Sequence, residues 1–224
     1  MAGEYESRDA PSARRDAGPR GQAPRGLLAG GTEGNSLLST AAGALLLVLL
    51  SALGVTIVAI HPLIDEHLFI GMLLIGPLAL KLGSVGYRFA QFFAGNPRYR
   101  ERGVPDVVLG TLAPLVVLST VIVFASGVVL LLAGPGSRGL WKPIHDYSFG
   151  VWLAVWCGHF VLHLPDLPKL LSGRHSERPW DDHGSGRGGR ALALAGALVL
   201  GVVLAIVCVP LFAAWSHWLN PVAR

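Results

Sequence analysis

Residues 37–60 read LLSTAAGALLLVLLSALGVTIVAI, twenty-four consecutive positions without a charged side chain. Coiled as an α-helix at 1.5 Å per residue, this stretch is roughly 36 Å long, enough to cross a hydrocarbon core about 30 Å thick. In lipid the backbone polar groups must be satisfied within the segment, which a helix does and an irregular chain does not. Comparable apolar blocks follow at 67–87, 107–132, 144–164 and 191–215. The expected class is therefore an all-α membrane protein with five transmembrane helices. Composition agrees: 52% of the 224 residues are hydrophobic and 14% are charged, where a soluble domain carries about a quarter charged.

Between these blocks the chain is polar. Residues 1–35 mix Arg, Asp, Glu, Gly, Pro and Ser, too little apolar surface to offset ordering entropy, and read as a disordered tail. Arg14-Arg15 is separated from the first apolar block by some twenty mainly polar residues, which argues against an export signal. The expected organisation is a tail over 1–35, a four-helix membrane bundle over 36–171, a loop over 172–190, a fifth span over 191–216 and an outer tail over 217–224.

Cations fix the expected orientation. The N-terminal tail, the loop after the second span and the loop after the fourth hold fourteen Lys and Arg, whereas the opposite side holds Arg138, Lys142 and Arg224. By the positive-inside rule the N-terminus is cytoplasmic and the C-terminus outside, in a cell membrane. Trp141, Trp215 and Trp218 then fall where an outer aromatic belt is expected. The excess of Gly, Ala, Arg and Pro fits a GC-rich bacterial genome. The formal charge of +4 is used in topology, and no nucleic-acid partner is expected. Cys157 and Cys208 lie inside apolar blocks and suit neither a disulfide framework nor a zinc site. Phosphate-binding glycine loops, nucleophile elbows, metalloprotease motifs and thiol redox pairs do not occur.

Chemistry is concentrated in the second and fourth spans. His67 opens the second, with Lys81 fourteen residues deeper; His145 opens the fourth, followed by His159 and His163. Ionisable groups at membrane depth cost roughly 2.5–3.5 kcal/mol each and mark function by default. Fourteen residues turn about 40° short of four full turns, so His145 and His159 share a face roughly 21 Å apart, and His163 returns to the azimuth of His145. Both spans run inward, which puts His67 and His145 at one level near the outer surface. Two neutral imidazoles facing each other there can ligate the iron of one b-type haem.

The two helix pairs also look like a diverged repeat. Gly54 in SALGVTI and Gly127 in FASGVVL each precede a short outer link, a histidine and a further glycine, Gly71 in HLFIG or Gly150 in HDYSFG. Glycine on a helix face admits either a flat macrocycle or a neighbouring helix. The plainer alternatives stay open: His67 and His145 as interfacial histidines, His159 bonded to a neighbouring helix, the glycines as packing positions, and Lys81 snorkelling along its stem to the inner surface.

The paired spans, with His-x13-His in the fourth and His-x13-Lys in the second, resemble the bacterial cytochrome b superfamily, including the membrane-anchoring subunits of formate dehydrogenases and nickel hydrogenases. The stretches GPLALKLGSVGYRFAQFFAGNPRYRERG and SFGVWLAVWCGHFVLHL are also similar to a group of actinobacterial membrane proteins of this shape. Together these cover about residues 37–170, leaving the tail and fifth span outside. The resemblance implies a cytochrome b-like bundle of the first four helices, with His67 and His145 as axial ligands of an outer haem b and His159 as a ligand of an inner one. It also implies a quinone and a partner redox protein. Lys81 stands where a di-haem member has its fourth histidine, so one haem is expected rather than two. His163, near the inner surface, has room for a separate role. The competing expectation is a haem-free membrane scaffold, or a small proton or solute transporter.

Overall fold

A computed structural model describes residues 31–96, 107–163 and 187–220. Its elements are helical throughout: α1 (Gly31–Val58), α2 (Ile64–Phe93), α3 (Val107–Ala133), a single 3₁₀ turn (Pro135–Ser137), α4 (Arg138–His163) and α5 (Arg187–Leu219). The arginine-rich stretch at 98–102, the loop histidines His175 and His183, and the tail over 1–30 lie outside the described residues.

Each helix is longer than its apolar stretch, most of all at the N-terminal ends of α1 and α4 and at the C-terminal end of α2. After α1, a turn over 59–63 reverses the chain, and the Leu63 amide bonds back to the Ala59 carbonyl at 3.1 Å. α2 starts without a side-chain cap but with Asp65 and Glu66 in its first turn, where acids suit the positive end of the helix dipole. At its other end Gly95 takes a φ of 77°, a left-handed conformation that a glycine adopts without penalty. Gly134, at φ 72°, likewise stops α3 and feeds Pro135. The four-residue link, Gly134 to Ser137, makes α3 and α4 an antiparallel hairpin.

α1, α2, α3 and α5 are long and apolar enough to cross a membrane, and only 17–28% of each apolar window is buried within the fold. Side chains such as Val48, Val55, Ile122 and Val207 turn outward. So much outward apolar surface requires lipid, and the chain is a multi-pass membrane protein. α4 has the length, 26 residues, but carries Arg138, Lys142, His145 and Asp146 in its first third and does not match the other four in apolarity.

α2 is the hub. It packs along α1 on one side and along α5 on the other, while α3 joins α4 to the rest. The α2–α5 crossing is set by small residues: a Cβ on Gly76 would collide with the Ala197 carbonyl, and one on Gly201 with that of Leu73. Backbones at this separation exclude any larger residue and gain dispersion contacts along both helices, the usual source of helix association in lipid. Toward the α1–α2 link, Ile64, Met72, Leu131, Ala205, Phe212 and Trp215 form the buried core. Thus α5, outside the four-helix unit expected from sequence, packs directly on the helix bearing His67.

Candidate functional site

Among the described residues α2 and α4 do not pack against each other along their lengths. A cavity of about 580 Å³ lies in that part of the bundle, with His67 and His145 both in its wall. This falls within the range of roughly 300–1,000 Å³ typical of ligand sites. Its walls are mainly Leu, Ile, Val and aromatic side chains from all five helices, and Trp215, Trp218 and Leu219 of α5 complete it.

Each ring is held by the preceding helix, and the hydrogen bonds decide its tautomer. Thr56 Oγ1 on α1 donates to the Leu53 carbonyl at 2.6 Å. Its single proton is thereby used, so at 2.9 Å from His67 Nδ1 it accepts, and Nδ1 carries the hydrogen. His145 Nδ1 lies 3.1 Å from the Val123 carbonyl oxygen, which only accepts, so this Nδ1 is protonated as well. Ser126 Oγ, 3.1 Å from the same nitrogen and 2.9 Å from the Val123 carbonyl, braces the ring. Both imidazoles therefore keep the lone pair on Nε2, which has no protein hydrogen bond among the described residues. Nδ1 fixed and Nε2 free is the state in which histidine ligates a metal.

Glycine lets the second ring sit where it does. A Cβ on Gly127 would come within 2.9 Å of His145 Cε1 and 3.3 Å of Nδ1, so the imidazole lies flat against the α3 backbone. Gly71 borders the cavity with no protein atom within 4 Å of where its Cβ would be. Gly54 is equally open but is not part of the wall, where its neighbours Leu53 and Ile57 stand instead. The repeat seen in sequence thus brings Gly71 and Gly127 to the site and leaves Gly54 beside it.

The deeper residues are placed differently. Lys81 Nζ donates to the Ser39 carbonyl at 2.7 Å and to Ser39 Oγ at 2.8 Å, against Gly43 of α1. One turn further, Ser84 and Asn35 exchange hydrogen bonds, with Ser84 Oγ 2.8 Å from Asn35 Oδ1 and Asn35 Nδ2 3.2 Å from the Ser84 carbonyl. This polar seam joins α2 to α1, away from α4. His159 is half-buried on α4, and neither it nor Lys81 borders the cavity. His163 closes α4, and its side chain lies outside the described residues. Among the described residues no three His, Cys, Asp or Glu gather as for a bare metal ion.

A bare cation in an apolar cavity needs more ligands than two imidazoles. Sequence reasoning singled out His67 and His145 and assigned Trp215 and Trp218 to an aromatic belt rather than to the cavity wall, where they stand, and it missed Thr56 and Ser126. These two had a readable signal, a hydroxyl within two residues of the glycine in both SALGVTI and FASGVVL. No protein-family profile, curated protein or solved structure matches the chain.

Proposed function

We propose that this protein is a membrane electron carrier in which His67 and His145 hold one b-type haem through Nε2. It takes electrons from a quinol in the bilayer and passes them to a partner redox protein. The observation that carries this reading is a matched placement: two imidazoles on different helices, each with Nδ1 set against an oxygen of the preceding helix, both in the wall of one apolar cavity. When bound, the haem supplies a one-electron iron couple. The chain's own residues do the rest. Thr56 and Ser126 hold the rings at a fixed rotation, so little reorganisation accompanies a change of charge at the centre. The Leu, Ile and Phe walls exclude water, Gly71 leaves open space at the cavity wall, and Gly127 makes room for the His145 ring.

In this reading α4 is a fifth span despite its polar first third, because that third sits at the outer interface where Lys142 and Asp146 pair at 2.5 Å. The N-terminus is cytoplasmic and the C-terminus outside, in a bacterial cell membrane, as cation placement requires. A single haem is favoured because the Lys81 amine is committed to Ser39 and neither Lys81 nor His159 borders the cavity.

The test is spectroscopic. Purified protein reduced with dithionite is expected to show the Soret and alpha bands of a b-type haem at one haem per chain. His67→Ala and His145→Ala remove them, while Lys81→Met keeps them. A colourless protein of normal helicity after haem supplementation refutes the assignment.

A further inference from the structure

The cavity is amphipathic, and its polarity has a direction. Apart from the two ligating histidines, its ionisable side chains are His61, Lys142 and Asp146, from the α1–α2 link and the first turns of α4. On α4, Lys142 precedes His145 by three residues and Asp146 by four, so all three lie on one face. A planar group centred on the imidazoles therefore meets hydrocarbon on its remaining edges and an ammonium on this one. Lys142 Nζ rests on Asp146 Oδ2 at 2.5 Å, with both side chains about half exposed. Pairs of this kind within one helix are weak and easily exchanged.

We propose that Lys142 is the receptor for the carboxylate edge of the cavity's ligand, and that Asp146 is a placeholder which the ligand's carboxylate displaces. This rests on the haem reading and adds to it the orientation of the group, propionates toward the mouth formed by α4 and the α1–α2 link. The exchange is one carboxylate for another at the same ammonium, and the released Asp146 is exposed enough to be solvated. The ammonium also sets the class of ligand: a flat molecule with an acid edge is selected over its neutral ester.

Two variants with opposite effects test this. The full chain in detergent is titrated with haem b and, separately, with haem dimethyl ester. Lys142→Met is expected to weaken haem binding about tenfold, the size of one charge-assisted hydrogen bond at a half-exposed position, and to leave the ester unchanged. Asp146→Asn, which frees the ammonium and removes a competing negative charge, strengthens haem binding severalfold and again leaves the ester unchanged. Tightening cannot come from damaged folding. If wild-type protein binds haem but Lys142→Met weakens both ligands alike, or Asp146→Asn weakens haem, the placeholder is overturned and the haem site stands. If wild-type protein binds neither ligand, both inferences fall together.

Discussion

Gly127 is the position at which one methyl group separates a structural glycine from a site glycine. In Gly127→Ala the new Cβ lies 2.9 Å from His145 Cε1, where carbon atoms at rest stay about 3.5 Å or more apart, so the ring must retreat by about 0.6 Å. It is not free to swing, because Nδ1 is tied to the Val123 carbonyl and Ser126 on the same stretch of α3 that carries the methyl. Overpacking of this kind costs about 1–3 kcal/mol. Replacing a helical glycine by alanine returns roughly 0.5–1 kcal/mol. The net effect on folding is therefore near zero to about 2 kcal/mol, a tolerable loss for helices this long. The effect on the site is larger, since the displaced ring is one of the two proposed ligands.

The matched control is Gly54→Ala, where no atom lies within 4 Å of the new Cβ. Gly127→Ala is expected to keep its helical circular dichroism while its reduced spectrum shifts from low-spin toward a weaker, partly high-spin form. Gly54→Ala keeps the wild-type spectrum and melts at the same temperature or a little higher. A Gly127→Ala protein with unaltered bands, or equal damage from both substitutions, would mean that the glycine does not seat the ring.

Thr56→Val removes the acceptor for His67 Nδ1–H while keeping the shape of the side chain, and leaves a buried donor unpaired at about 1–3 kcal/mol. A lower thermal midpoint in detergent is expected together with a shifted midpoint potential; an unchanged potential would show that the hydroxyl does not act through the imidazole. Gly201→Leu forces α5 away from α2 at its closest approach to Leu73, and with it Trp215 from the cavity wall. Loss of bound haem is expected even though the residue touches neither histidine, and a fully loaded variant would show that α5 is dispensable to the site.

The helices were legible because their signal is long and simple. Uncharged runs of twenty or more residues admit one structure in lipid, and α1, α3 and α5 follow those runs closely. α4 was harder, since the polar residues that give it chemistry also lower its apolarity, so a single region carries two opposing signals. The place of α5 was not legible at all. Its Ala197 and Gly201 look like the small residues found throughout the chain. Only the facing Leu73 and Gly76 of α2 show that they form a contact, and helix pairing is a relation between segments that no local pattern encodes.

The site divides along the same line. His67 and His145 were singled out by periodicity and polarity, and both reach the wall of one cavity. Lys81 had the same interval and took a different fate, which depended on α1. Ser39 lies within reach of its amine and Gly43 makes room beside it, so the charge is spent on a helix seam. An interval along a helix fixes depth and azimuth but not the neighbour. The neighbours of the two histidines are Thr56 and the Val123 carbonyl, one hydroxyl and one backbone oxygen, chemically different yet each set against Nδ1 of its ring. That equivalence is the strongest link between the two halves of the chain. Two unrelated partners engage the same nitrogen on both rings, as the proposed haem between them would need.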